Sequence, residues 1–201
     1  MSGTIIEIDN LFNTNSLSKK VNIDDEFNSS FESGISIEYL NEEEQEIISE
    51  EKKKISKSIS TILNELIELS KTQKFQEQKD IFDTNVIPNM TLYEYINRII
   101  SYSDCEENTL ISALIYIDRI AKKKSITYLN VYKLVFTSIL ISIKYNEDEI
   151  YKNDFYSQIA GVSLCELNQM EYEFFFLVDF NIYINESIFM KYKYALETIN
   201  E

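Results

Sequence analysis

The sequence predicts an all-α fold, and three observations support that prediction. The stretch from Asn130 to Tyr145 is apolar on nearly every side, which is typical of a helix that is surrounded by other helices. Before and after it, apolar residues recur at the three- and four-residue steps of a helix. No segment shows the alternation of apolar and polar residues that is typical of a strand. We therefore expect one helical domain built around the central stretch.

The central stretch is a core helix rather than a membrane span. Its apolar run, Val131 to Ile143, is shorter than the roughly 20 residues that a bilayer requires. Lys144 and an acidic loop follow directly. We expect the helix to reach the surface at this lysine.

Composition argues against several classes of function. The 201-residue chain carries a formal charge of −15, which disfavours nucleic-acid and anionic-membrane partners, because both attract lysine and arginine surfaces. There is no histidine, which removes His-dependent catalysis and His metal sites. Cys105 and Cys165 lie far apart without CxxC spacing, and the N-terminus does not resemble a signal peptide. We expect two reduced thiols in an intracellular protein.

No motif for a cofactor, a phosphate group or a metal ion is present. The run Glu147-Asp148-Glu149 could be imagined as a set of ligands, but it lacks the spacing of a calcium loop. We expect solvated charge there.

The chain before the core divides into a tail and a helix. Residues 1–40 show no sustained period, and we expect a flexible N-terminal tail. Residues 41–87 are expected to hold a helix, from Asn41 to about Lys74, and a connector. One side of this helix carries a stripe of apolar residues: Ile55, Ile59, Ile62, Leu63, Leu66 and Ile67. The stripe packs on the main domain or, as the less favoured alternative, binds a separate coiled-coil partner.

Residues 88–182 are expected to hold five helices: medium, long, buried, short and long. Pro88, the only proline, marks the boundary before the first of them. Thr91 and Glu94 have the spacing of a capping box for the first helix. Asp104 is expected to be the N-cap of the second.

Cap signals also delimit the last helices. Gly161 is expected to end the short fourth helix. Ser163 and Glu166 have capping-box spacing at the start of the fifth, which we expect to continue to Phe180. Asn185 is expected to cap a further helix within residues 183–201.

Several segments, in this order, resemble the cyclin box of the P/U-type (phosphate-regulon-like) cyclins. They read ALIYIDRI, LNVYKLVFTSILISIKYNEDE and YKNDFYSQIAGVSLCELNQMEYEFFFLVDFNIYI. The preceding ISTILNELIELSK resembles that family's short N-terminal helix, and IPNMTLYEYINRI resembles its first box helix. The resemblance covers about Ile59 to Leu196 and implies a single cyclin box.

What the resemblance implies is a kinase regulator without chemistry of its own. Cyclins dock beside the C-helix of a cyclin-dependent kinase and hold it inward, which completes the Lys–Glu pair that positions ATP. By motif, Lys144 matches the family's lysine at the end of the third helix, and Glu171 matches its glutamate within the fifth. Both are expected to contact the kinase. Without the resemblance, Lys144 could be an ordinary lysine at a helix C-terminus and Glu171 a solvated residue.

The family's signature residues Asp118 and Arg119 are expected to act internally. A charge-assisted bond there would tie the end of the second helix to its neighbours. Relatives often have an arginine at the start of the first helix to pair with this aspartate, whereas this chain reads Pro88-Asn89-Met90.

Three functions are compatible with the resemblance. The chain is expected to bind and activate a cyclin-dependent kinase in the nucleus or cytoplasm, in cell-cycle or division control. Alternatively, it is a cyclin-fold scaffold or adaptor that binds partners without activating a kinase. A DNA-binding role, as in general transcription factors with this fold, is disfavoured by the acidic charge.

Overall fold

The computed structural model describes residues 49–71 and 79–199, which form seven helices and no strand. The helices are α1 (Glu50–Ser70), α2 (Leu92–Ser103), α3 (Glu107–Ala121), α4 (Val131–Asn146), α5 (Asn153–Ala160), α6 (Leu164–Leu177) and α7 (Glu186–Ile199). The all-α prediction is confirmed. The tail expected at residues 1–40 lies outside the described residues.

The central helix α4 is buried on all sides. Every residue from Val131 to Ile143 except Lys133 is buried, and the helix packs against α2, α3, α5 and α6. The hydroxyls of Thr137 and Ser138 donate to backbone carbonyls one turn back, so these small polar residues fit an apolar interior. The helices α2 to α6 thus form the predicted five-helix box, with α4 at its centre. No helix in the described ranges is long and apolar enough to cross a membrane.

The amphipathic helix α1 packs on the domain, against α2, α3 and α7. Its predicted apolar stripe is buried, and Ser56 Oγ donates to Asn97 Oδ1 of α2 at 2.8 Å. The apolar stripe therefore packs on the main domain, which was the preferred of the two alternatives. The helix α1 begins at Glu50: Ser49 is its N-cap, and the Ser49 hydroxyl accepts from the Lys52 N–H. The predicted helical segment 41–48 lies outside the described residues.

The predicted N-cap of α3 is wrong. Asp104 instead ends α2, with a left-handed φ of 48°, and α3 begins after Glu106 without a side-chain cap of its own. The cap comes from the loop after α4, where the Glu147 carboxylate accepts from the Glu106 N–H at 3.1 Å and from the Thr109 hydroxyl at 2.6 Å. Glu147 is therefore not simply solvated charge, because it satisfies donors that the start of α3 would otherwise expose.

Other predicted caps are present, with one difference. Thr91 forms the expected capping box, and the side-chain oxygen Oδ1 of Asn185 caps α7 by accepting from the Ile188 N–H. Ser163 Oγ accepts from the Glu166 N–H, but the Glu166 carboxylate pairs with Lys133 of α4 at 2.8 Å. Half of the predicted second box is thus replaced by a tertiary contact.

The end of α6 also differs from the prediction. Gly161 ends α5 as expected, with a φ of 70°. However, α6 ends at Leu177 rather than at Phe180, because Asp179 and Phe180 take left-handed conformations with φ of 52° and 56°. Two such residues cannot continue a right-handed helix.

Candidate functional site

Lys144 and Glu171 lie in direct contact at the surface of the box. Lys144 is in the last turn of α4 and Glu171 is in the middle of α6, 27 positions later. Because α4 and α6 pack together, the Lys144 ammonium and a Glu171 carboxylate oxygen are 2.5 Å apart. Their side chains are 27% and 13% exposed, so the pair is reachable from solvent and is neither sealed inside nor freely solvated.

Two asparagines complete this ion pair. Asn153, the first residue of α5, accepts from Lys144 Nζ through Oδ1 at 2.6 Å and donates from Nδ2 to Glu171 Oε2. Its Nδ2 also donates to Asn168 Oδ1 at 2.7 Å. We name Lys144, Asn153, Asn168 and Glu171 the polar network. It joins three helices. It was not predicted as a unit, because no sequence pattern places Asn153 beside the two charges.

The polar network keeps hydrogen-bonding capacity towards solvent. An ammonium has three N–H donors, and Lys144 uses two of them within the network. Each carboxylate oxygen of Glu171 accepts one bond there and has lone-pair capacity left. The site can therefore donate to a partner's carbonyl and accept from a partner's N–H at neighbouring positions.

An aromatic ridge, made of Tyr172, Phe175, Phe176 and Phe180, lies next to Glu171 along α6 and the turn that follows. The Tyr172 and Phe176 rings meet edge to face at 4.9 Å, and Phe180 contacts both Phe176 and Phe175. Tyr172 is 61% and Phe180 62% exposed. Contiguous exposed aromatic side chains are the composition that recurs at the centre of protein interfaces.

The turn that displays Phe180 is held in place by the turn that follows α3. Asp179 forms an ion pair with Lys123, and the Lys123 ammonium also donates to the Leu177 carbonyl at 2.9 Å. Left-handed backbone costs non-glycine residues roughly 1–2 kcal/mol each. Contacts from Lys123, more than 50 positions earlier in the chain, offset that cost here, which explains why the local sequence did not reveal the turn.

Asp118 and Arg119 make contacts within the domain. The Asp118 side chain is 4% exposed, and one of its carboxylate oxygens lies 3.2 Å from the Lys122 ammonium. The Arg119 guanidinium donates to the carbonyls of Asn181 and Tyr183, the latter at 2.9 Å. Arg119 therefore joins α3 to the chain between α6 and α7, beside the aromatic ridge.

Tyr116, one turn earlier on α3, supports the same segment. Its hydroxyl donates to the Ile182 carbonyl at 2.7 Å. Burial raises the pKa of this phenol to about 12, so it stays a protonated donor throughout the neutral range. The two cysteines take no part in the site: Cys105 is a buried free thiol, and Cys165 is an exposed one on α6.

Comparison with known proteins identifies the fold family. The family model described as Cyclin matches residues 33–182. Cyclin-U4-3 of Arabidopsis thaliana is 30% identical over 161 residues, which cover 79% of this chain and 74% of that protein. Cyclin-U2-1 of the same plant is 37% identical over 120 residues, 58% of this chain, and the match spans about half of that relative's length, 54%. Cyclin-P3-1 of Oryza sativa subsp. japonica is 30% identical over 132 residues, 65% of this chain and 56% of that protein.

The family match and the observed fold agree. The matched region includes all of the helices α2 to α6 that surround and include the buried α4. Cyclins are regulatory proteins and not enzymes. The family match and the plant relatives together show that the chain is a member of the cyclin family, in its P- and U-type branch.

Proposed function

We propose that this chain binds a cyclin-dependent protein kinase and activates it by holding the kinase C-helix inward. The observation that carries the proposal is the partly exposed pair of Lys144 and Glu171 beside the exposed aromatic ridge. A charged pair with free capacity next to an apolar surface is the combination of polar rim and apolar centre that protein interfaces use.

The polar network supplies the directional contacts in this proposal. Lys144 donates to backbone carbonyls around the kinase C-helix, and Glu171 accepts from backbone N–H groups there. Hydrogen bonds to charged groups are about twice as strong as neutral ones, and their geometry fixes the register of docking. The aromatic ridge, and Phe180 in particular, supplies the apolar area.

Activation follows from the position of the docked helix. A kinase C-helix that is held inward keeps its glutamate within reach of the lysine that binds the ATP phosphates. The cyclin contributes only binding energy, which is larger for the inward conformation than for the outward one. We place this activity in cell-cycle or division control, in the nucleus or cytoplasm.

Affinity capture tests the proposal. The wild-type chain and the double variant Lys144→Ala/Glu171→Ala are compared as bait, with kinases identified by mass spectrometry. The wild type is expected to retain a cyclin-dependent kinase over an interface of about 1,600 Å² or more, and the double variant is expected to lose it while its far-UV helix signal is unchanged. Undiminished capture by the folded variant would reject the assignment of these two residues.

A second measurement separates activation from scaffolding. The phosphorylation rate of a peptide by the captured kinase is measured with and without the chain. A rate that rises with the chain supports activation, whereas binding without any change in rate supports the adaptor alternative.

A further inference from the structure

Asn153 lies between the two charged side chains on which the proposed function depends. It stands at the start of α5, whereas Lys144 is on α4 and Glu171 is on α6. Its amide contacts both: Oδ1 accepts from the ammonium at 2.6 Å, and Nδ2 donates to the carboxylate. Together with the 2.5 Å Lys144–Glu171 contact, these bonds close a ring of three side chains. The second N–H of the amide donates to Asn168 Oδ1 at 2.7 Å.

A carboxamide suits the chemistry of this position. A lysine ammonium offers only donors, and an ionised glutamate offers only acceptors. A side chain between Lys144 and Glu171 must therefore accept on one side and donate on the other. Asparagine does so with a short planar amide. Alanine at position 153 would do neither, and aspartate would place its own carboxylate against that of Glu171.

We propose that Asn153 is a positioning residue for the kinase contact, a role that rests on the proposed function. It fixes where the Lys144 ammonium and the Glu171 carboxylate stand before a partner arrives. Among the described residues, one Lys144 N–H and further Glu171 lone pairs have no acceptor or donor and can serve that partner. Lysine and glutamate side chains otherwise lose much conformational freedom on binding. Ordering them in the free protein removes that cost from the association step.

Binding of a purified cyclin-dependent kinase, one that the wild-type chain captures, tests this role through a double-mutant cycle. Asn153→Ala is expected to weaken binding about tenfold, the size of one charge-assisted hydrogen bond. The double variant Asn153→Ala/Lys144→Ala is expected to lose affinity by less than the product of the two single fold-losses, because the amide acts through the lysine. Asn146→Ala, at the exposed end of α4, is the matched control and should bind as the wild type does.

Two results would overturn the inference. One is an unchanged affinity of Asn153→Ala, and the other is a double variant whose fold-loss of affinity equals the product of the two single fold-losses. Full multiplication would mean that Asn153 and Lys144 act independently, which a purely structural role of Asn153 predicts and a positioning role does not.

A second measurement needs no kinase and separates this inference from the proposed function. Exchange of the Lys144 ammonium hydrogens with water is followed by NMR in the free protein. It is expected to be slow in the wild type and in Asn146→Ala, and several-fold faster in Asn153→Ala, because one of two hydrogen bonds is lost. If exchange accelerates but no kinase binds the wild type, the proposed function fails while Asn153 still holds the pair. If exchange is unchanged in Asn153→Ala, the inference fails whatever the kinase result.

Discussion

The Glu147 carboxylate accepts a hydrogen bond from the Thr109 hydroxyl at 2.6 Å, across 38 positions of sequence. The same oxygen accepts from the Glu106 N–H, so the loop after α4 caps the start of α3. This contact fixes the chain three residues beyond Lys144. The stability of α3 and the position of the polar network are thus linked through one side chain.

Glu147→Ala is expected to destabilise the protein by about 1 kcal/mol, the usual cost of a lost N-cap. The reason is that the Glu106 N–H and the Thr109 hydroxyl lose their acceptor. Chemical denaturation measures the effect. Asp148→Ala, which removes the neighbouring exposed carboxylate, is the matched control and should change stability by less than half as much. Equal effects of the two substitutions would show that only charge, and not the cap, is involved.

Ser142→Ala is expected to stabilise the protein by about 0.5–1 kcal/mol. Ser142 is fully buried in α4, and among the described residues its hydroxyl oxygen has no hydrogen-bond partner. Alanine removes that unsatisfied group without adding volume. Ser138→Ala is the control, because the Ser138 hydroxyl donates to the Leu134 carbonyl at 2.7 Å. In thermal unfolding, the melting temperature of Ser142→Ala should lie above that of the wild type, and that of Ser138→Ala at or below it. The reverse order would contradict the prediction.

The capping box of α2 should make part of the stability depend on pH. The Glu94 carboxylate accepts from the Thr91 backbone N–H and hydroxyl, and these hydrogen bonds lower its pKa. A carboxylate whose pKa is lower in the folded than in the unfolded state stabilises the fold at pH values above its unfolded-state pKa. This contribution is lost as the pH falls through its folded-state pKa. Denaturation of the wild type and of Glu94→Gln between pH 7 and pH 3 is the measurement. The difference between their free energies of unfolding should shrink on acidification, and a difference that stays constant would contradict the account.

The sequence predicted what local periodicity and local caps determine, and it missed what distant residues determine. The burial of α4 and the caps at Thr91 and Gly161 follow from residues within one or two turns. The cap of α3 comes from Glu147, far along the chain, so Asp104 was the wrong local choice.

The site shows the same division. Motif order indicated Lys144 and Glu171, which the structure places in contact. Asn153 carried no signal, because its partners are nine and 18 positions away and lie on other helices. The turn at Phe180 was missed for a similar reason, since it depends on Lys123 of the segment after α3.

Phe180→Gly is expected to weaken kinase capture while changing stability by less than about 1 kcal/mol. Glycine relieves the left-handed backbone at φ 56°, and this gain offsets the lost ring contacts and the greater entropy of the unfolded chain. The exposed ring itself contributes little to the free protein. Affinity and denaturation are measured on the same preparation. Unchanged capture would remove Phe180 from the interface, and a loss of stability above 2 kcal/mol would show a structural role instead.

The most direct test of the central claim is a charge swap, Lys144→Glu combined with Glu171→Lys, followed by titration with the captured kinase. The swapped chain keeps an opposite-charge pair at the same place, and the Asn153 amide can rotate to serve it, so folding should be retained. It presents the wrong charge to each kinase group, and we predict that affinity falls at least a hundredfold, as expected for two misplaced charged hydrogen bonds. Wild-type affinity in the swapped, folded protein would mean that these two residues hold the box together and do not contact the kinase.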